Sequence, residues 1–181
     1  MKSYLLGVWN TIDPIYYTLT RLNYLPNSDE KPCVFRVRLT RYKGSTVTLE
    51  DGTTIHKNDL LLKIHLHNVR ILNEIQSVNS EVRRAVFIYH MVKRSLPTLA
   101  QYVHLHPKNE DIKGVIGITT LHKGVEHLGF EVFGIKNQYY RLYKKLTFTP
   151  INLLASTSQH GEPAYLFMSK NDLIKKYATN N

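Results

Sequence analysis

The apolar residues of this chain keep two different periods, and a fold that satisfies both must contain a sheet and helices. From Cys33 to Tyr42, Phe35, Val37 and Leu39 alternate with Arg36, Arg38 and Thr40. That is the period of a strand with one buried face. From Ser80 onward, Val82, Ala85, Val86, Tyr89 and Val92 recur at helical spacing, with Ser80 placed to cap the start. Strand and helix signals then follow one another without a regular βαβ rhythm. The pattern predicts an α+β fold, a mainly antiparallel β-sheet with helices packed on one face.

Within that frame the chain divides readily. Tyr4, Leu5, Val8, Trp9 and Ile12, then Ile15, Tyr16, Leu19 and Leu22, have helical spacing. Asp13-Pro14 marks either a junction of two short helices or a kink. Residues 26–32 read as a loop. Thr46–Leu49 and Thr53–Ile55 flank Asp51-Gly52, a hairpin signal, and Leu60–Asn68 reads as a further strand. Pro97 predicts the start of a second helix, through about Val103. Gly114–Thr120 predicts a strand and Leu121–Leu128 a short helix ended by Gly129. Phe130–Ile135 predicts another strand, followed by a helix from Gln138 to about Thr147 limited by Pro150. Ala164–Met168 predicts the last strand, and Ser169 with Asp172 the cap of a final helix. With no repeat and no linker, residues 1–181 read as a single domain: a helical segment at 1–24, a β-rich region at 33–68 and a mixed region at 80–181.

Charge narrows the partners. The 24 Lys and Arg against 14 Asp and Glu give a net charge of +10, a field that attracts anions. An anionic small molecule or polysaccharide fragment is the expected partner, with a membrane surface as a further one. Nucleic acid is not expected, because most tyrosines sit at helical spacing among apolar neighbours and no RNP or zinc-finger motif is present. A single cysteine, Cys33, rules out an internal disulfide and fits a reducing compartment. Asp13 and Arg21 interrupt the one candidate apolar run, so the reading is a cytoplasmic protein, peripheral to a membrane if the N-terminal helices are interfacial.

No nucleotide-binding glycine motif, hydrolase elbow or zinc-protease motif occurs, and no cofactor or metal is expected. The segment Lys63-Ile64-His65-Leu66-His67-Asn68 carries the most chemistry. On a strand Lys63, His65 and His67 share one face, as do Arg36 and Arg38 on theirs. Aligned in one sheet, these faces gather cations suited to a phosphate, carboxylate or acidic sugar. The competing readings are a solvated polar face and a metal site, in which His56, Asp59 or His122 completes a His65/His67 pair. His122, after a strand and at a helix start, is a further candidate for anion contact or acid/base work.

The order FRVRLTRYKG, LEDGTTIHKNDLLLKIHLHN, GITTLHKGVEHLGFEVF resembles the YkoP-like domain, from about Leu5 to Phe148. That domain occurs as small bacterial proteins and as an extension of some polysaccharide deacetylases. Among the matching positions are Phe35, Arg36, Asp51, Gly52, Asp59, His65, Asn68, His122, Gly124 and Gly129. This chain departs from the pattern at His67, often asparagine in the fused form, and at Asn58, usually glycine. The resemblance implies a context of envelope polysaccharides and leaves His65, Asn68 and His122 ahead of His67. The deacetylase metal motif is absent, so deacetylation is not carried over. The expected function is an accessory domain binding an acidic or phosphorylated ligand through Arg36, Arg38, His65, Asn68 and His122. The alternatives are a small hydrolase or transferase with His65 and His122 as acid and base, or a charge-driven membrane or nucleic-acid binder.

Overall fold

The structure, a computed structural model, describes residues 22–25, 33–120, 124–155 and 161–178, with backbone alone over 147–155. The expected N-terminal helices up to residue 21 and His122 lie outside the described residues. The fold is α+β, with one six-stranded sheet, mainly antiparallel, and a small two-stranded sheet.

The strands are β1 (Asn23–Tyr24), β2 (Phe35–Arg41), β3 (Val47–Thr48), β4 (Thr54–Ile55), β5 (Leu60–Leu66), β6 (Ile112–Thr119), β7 (Glu131–Gly134) and β8 (Ala164–Ser169). The helices are α1 (Asn68–Ile75), α2 (Glu81–Leu105), α3 (Gln138–Ala155) and α4 (Lys170–Tyr177). The large sheet runs β1-β2-β5-β6-β8-β7. Its one parallel pair, β5 with β6, is joined by the crossover that carries α1 and α2, as parallel strands require.

Alternation decides which side of the sheet each residue occupies. Phe35 and Val37 on β2, Leu62 on β5, Val115 on β6 and Met168 on β8 meet Leu96, Leu99 and Val103 of α2 and Leu173 of α4 in the main core. On the other face, Tyr42, Leu61, Ile116 and Phe167 pack with Leu49 and Ile55 from the β3–β4 arm. Helix α3 lies on that second face, where Tyr140 stacks on Tyr165 of β8 with ring centres 6.5 Å apart.

Three expectations need correction. The strand expected over Leu60–Asn68 ends at Leu66, and a helix that the apolar pattern left unassigned, α1, starts at Asn68. The helix from Glu81 continues through Pro97 to Leu105 rather than restarting there. Buried Ser95, Leu96, Thr98 and Leu99 flank the proline, and this packing on the sheet outweighs the hydrogen bond that proline forfeits. Helix α3 likewise continues past Pro150 to Ala155. The caps at Ser80 and Ser169 are as the sequence predicts, each side chain accepting a backbone N–H from Arg83 and Asp172 respectively.

Asn58 stands at φ 74°, in the left-handed region. Asparagine tolerates that region and glycine adopts it freely.

A basic face as the candidate functional site

Antiparallel register assembles the site. Arg36 pairs directly with His65, and Arg38 with Lys63. Alternation then sends all four side chains to the α3 side of the sheet, because Phe35, Val37, Leu62 and Ile64 take the other side. Lys63 also pairs with Ile116 of β6, at the edge of the second apolar cluster. The face is therefore apolar toward β8 and basic toward β1.

Arg36 is 2% exposed. Its Nη2 donates to the Tyr24 hydroxyl at 2.8 Å, and the guanidinium carbon stands 4.9 Å from that ring's centre. The two-residue strand β1 thus positions a stacking and hydrogen-bonding partner for the buried arginine. From α3, Lys144 enters the same neighbourhood, its Nζ 5.5 Å from the ring centres of Tyr140 and Tyr143.

Among the described residues, the charges acting on His65 are cations. Burial first, then Lys63, Arg38, Lys144 and Arg36, push its imidazole down to about 3. Burial, Lys144 and Arg38 push Lys63 down to about 8. Lys144 is lowered by burial and by Arg38. Burial and clustered like charge both disfavour the protonated form. His65 Nε2 is buried and has no hydrogen-bond partner among the described residues, which is a cost to the fold.

His67 does not join this group as a strand residue. It precedes α1 as its N-cap, its N–H donating to Val34 O at 2.8 Å and its ring 5.6 Å from that of Tyr24. His67 thus stands one residue beyond the end of β5, against the tyrosine that partners Arg36. Among the described residues no group of three or more His, Cys, Asp or Glu could hold a metal ion. Asn68 is the first residue of α1, three positions beyond His65 and off the strand. Cys33 is buried, and burial pushes its thiol up, away from nucleophilic behaviour.

Sequence reasoning did not assign Tyr24 or Lys144 to the site. The i, i+4 spacing of Tyr140 and Lys144 was the available signal, since it puts them on one side of a helix. Two clefts among the described residues lie elsewhere. One is lined by Ser77, Ser80, Arg83 and Phe87, the other by Arg41, Asp59, Lys108 and Asp111. No helix among the described residues is long and apolar enough to cross a membrane.

Residues 2–177 match the family model described as the YkoP domain. Over 181 residues the chain is 49% identical to the uncharacterized protein YkoP of Bacillus subtilis (strain 168), covering 98% of each chain. No solved structure matches it.

Proposed function

Since the chain belongs to the YkoP domain family, we propose that it is a binding member of that family, taking an acidic or phosphorylated ligand on the basic face. The observation that carries this reading is the β2–β5 register, which opposes Arg36 to His65 and Arg38 to Lys63 on one side of the sheet. Burial first, and then the cations gathered there, depress Lys63 and His65, and an arriving anion would offset the repulsive part. Arginine forks and a neutral imidazole donate hydrogen bonds to phosphoryl or carboxylate oxygens.

Neither cleft is lined by these four residues. The reading therefore commits to one phosphoryl or carboxylate group among the side chains, not to a whole sugar ring inside the sheet. Asn68, three residues beyond His65, and His122, which follows β6 in sequence, are kept as further ligand contacts of this reading. The association with envelope polysaccharide comes from the resemblance to domains fused to deacetylases.

Acid/base catalysis by His65 has less support. An imidazole held near 3 is not protonated to the imidazolium at neutral pH and so does not serve as a general acid. The test is a thermal-shift and calorimetric panel of inorganic phosphate, sugar phosphates, acidic oligosaccharides and their neutral counterparts. Binding of the phosphorylated or acidic members, lost in Lys63→Gln and His65→Gln with folding intact, supports the reading. Equal response to neutral sugars, or binding unchanged in both variants, overturns it.

A further inference from the structure

Helix α3, which lends Lys144 to the basic face, also presents a second feature. Tyr139 is 88% exposed, Leu142 58%, Tyr143 58% and Leu146 65%. Positions i, i+3, i+4 and i+7 form one stripe along a helix. Scattered exposed apolar residues are ordinary, but a continuous stripe marks a surface that meets something. The sheet is not what it meets, because the contacts of α3 with the sheet face run through Tyr140, which stacks on Tyr165.

Charge selects the partner. Over Gln138–Ala155 the helix contains Arg141, Lys144 and Lys145 and no Asp or Glu. Arg141 and Lys145 approach Glu162 at 3.8 and 2.9 Å. These pairs are exposed, so the basic groups remain open to exchange with another anion at little cost. A second copy of the chain, docked through the same stripe by a two-fold axis, would set the same cations against each other. A leucine and tyrosine stripe beside basic side chains, on a chain of net charge +10, instead matches a bilayer carrying anionic headgroups.

We infer that the stripe of Tyr139, Leu142, Tyr143 and Leu146 seats the protein on an anionic lipid surface, with α3 lying in the plane of the interface. Leucines enter the acyl boundary, tyrosine hydroxyls stay at headgroup depth, and Lys145, which flanks Leu142 on the helix, reaches phosphates.

The test uses the full chain in co-sedimentation with vesicles of phosphatidylcholine alone and of phosphatidylcholine mixed with phosphatidylglycerol. The wild type should bind the mixed vesicles and not the neutral ones. Leu142→Ser with Leu146→Ser should weaken that binding about tenfold or more, from the apolar area withdrawn, at an unchanged melting temperature because both leucines are exposed. His65→Gln should bind vesicles as the wild type does, which separates this surface from the anion site. Three outcomes overturn the inference: no vesicle binding by the wild type, equal binding by the double variant, or a wild-type dimer that the double variant converts to monomer.

Discussion

Arg36 and His65 oppose each other across the β2–β5 ladder, and of the two only the histidine can shed its charge. The arginine, 2% exposed and set against Tyr24, keeps its proton at any working pH. His65 answers by titrating far below its ordinary range. The neutral state of His65 thus follows first from burial and then from the charge of its neighbours.

Acid sensitivity follows from this. His65 titrates near 3 when folded, against 6.5 for a free imidazole. Between these values the unfolded chain holds a proton that the folded chain refuses, so stability rises with pH through that window and is lost on acidification. The effect is on the order of a few kcal/mol at full extent. Melting temperatures measured from about pH 4 to pH 7 should fall more steeply toward acid in the wild type than in His65→Gln. Parallel curves would show that His65 is not the group responsible.

Lys63 gives a signature of ligand binding itself. With its ammonium at about 8, a fraction of the protein holds Lys63 neutral under mildly alkaline conditions. A bound anion favours the charged form, so phosphate binding should take up protons at about pH 8.5. Calorimetry in two buffers of different ionisation enthalpy reads this directly. Lys63→Arg, whose charge is permanent, should bind without the buffer dependence, and a wild type with none would contradict the assignment.

Ser95 ties helix to sheet. Its hydroxyl donates to Met91 O at 2.9 Å and accepts from the Val34 N–H at 3.1 Å, and the residue is 4% exposed. Ser95→Ala strands a buried amide, at a cost of about 1–3 kcal/mol. Urea unfolding should show a lower midpoint at an unchanged slope.

Gly114 has no room for a side chain. A Cβ there would stand 2.5 Å from the Met168 carbonyl oxygen, a backbone atom of β8, which has strand neighbours on both sides. Gly114→Ala should destabilise by about 2 kcal/mol or more. A melting temperature equal to the wild type's would mean that β6 and β8 separate without cost.

The sequence made the period-2 strand β2, the Asp51-Gly52 turn and the two serine caps legible, because each is written in neighbouring residues. It also made the shared face of Arg36, Arg38, Lys63 and His65 legible once their strands were placed side by side. Helix α1 escaped notice because Ile71, Leu72 and Ile75 follow directly on an apolar strand, and nothing but the backbone turn at His67 separates them. Pro97 misled in the opposite direction, since its meaning depends on what the helix packs against. The place of β6 beside β5, and the side of the sheet that α3 occupies, depend on pairings between distant segments and carry no local mark.

The parallel pair of β5 with β6 is a seam between two antiparallel halves, β1-β2-β5 and β6-β8-β7. Each half is drawn from a contiguous length of chain, so during synthesis the first emerges before the second has been made. For that interval the free edge of β5 offers unpaired amides and carbonyls beside a strand of leucines, the arrangement most prone to join another chain. Helix α2 emerges between the halves and packs against residues of both, so it is available to shelter the apolar face of the first before the second arrives. In the finished molecule it becomes the clasp that holds the two together.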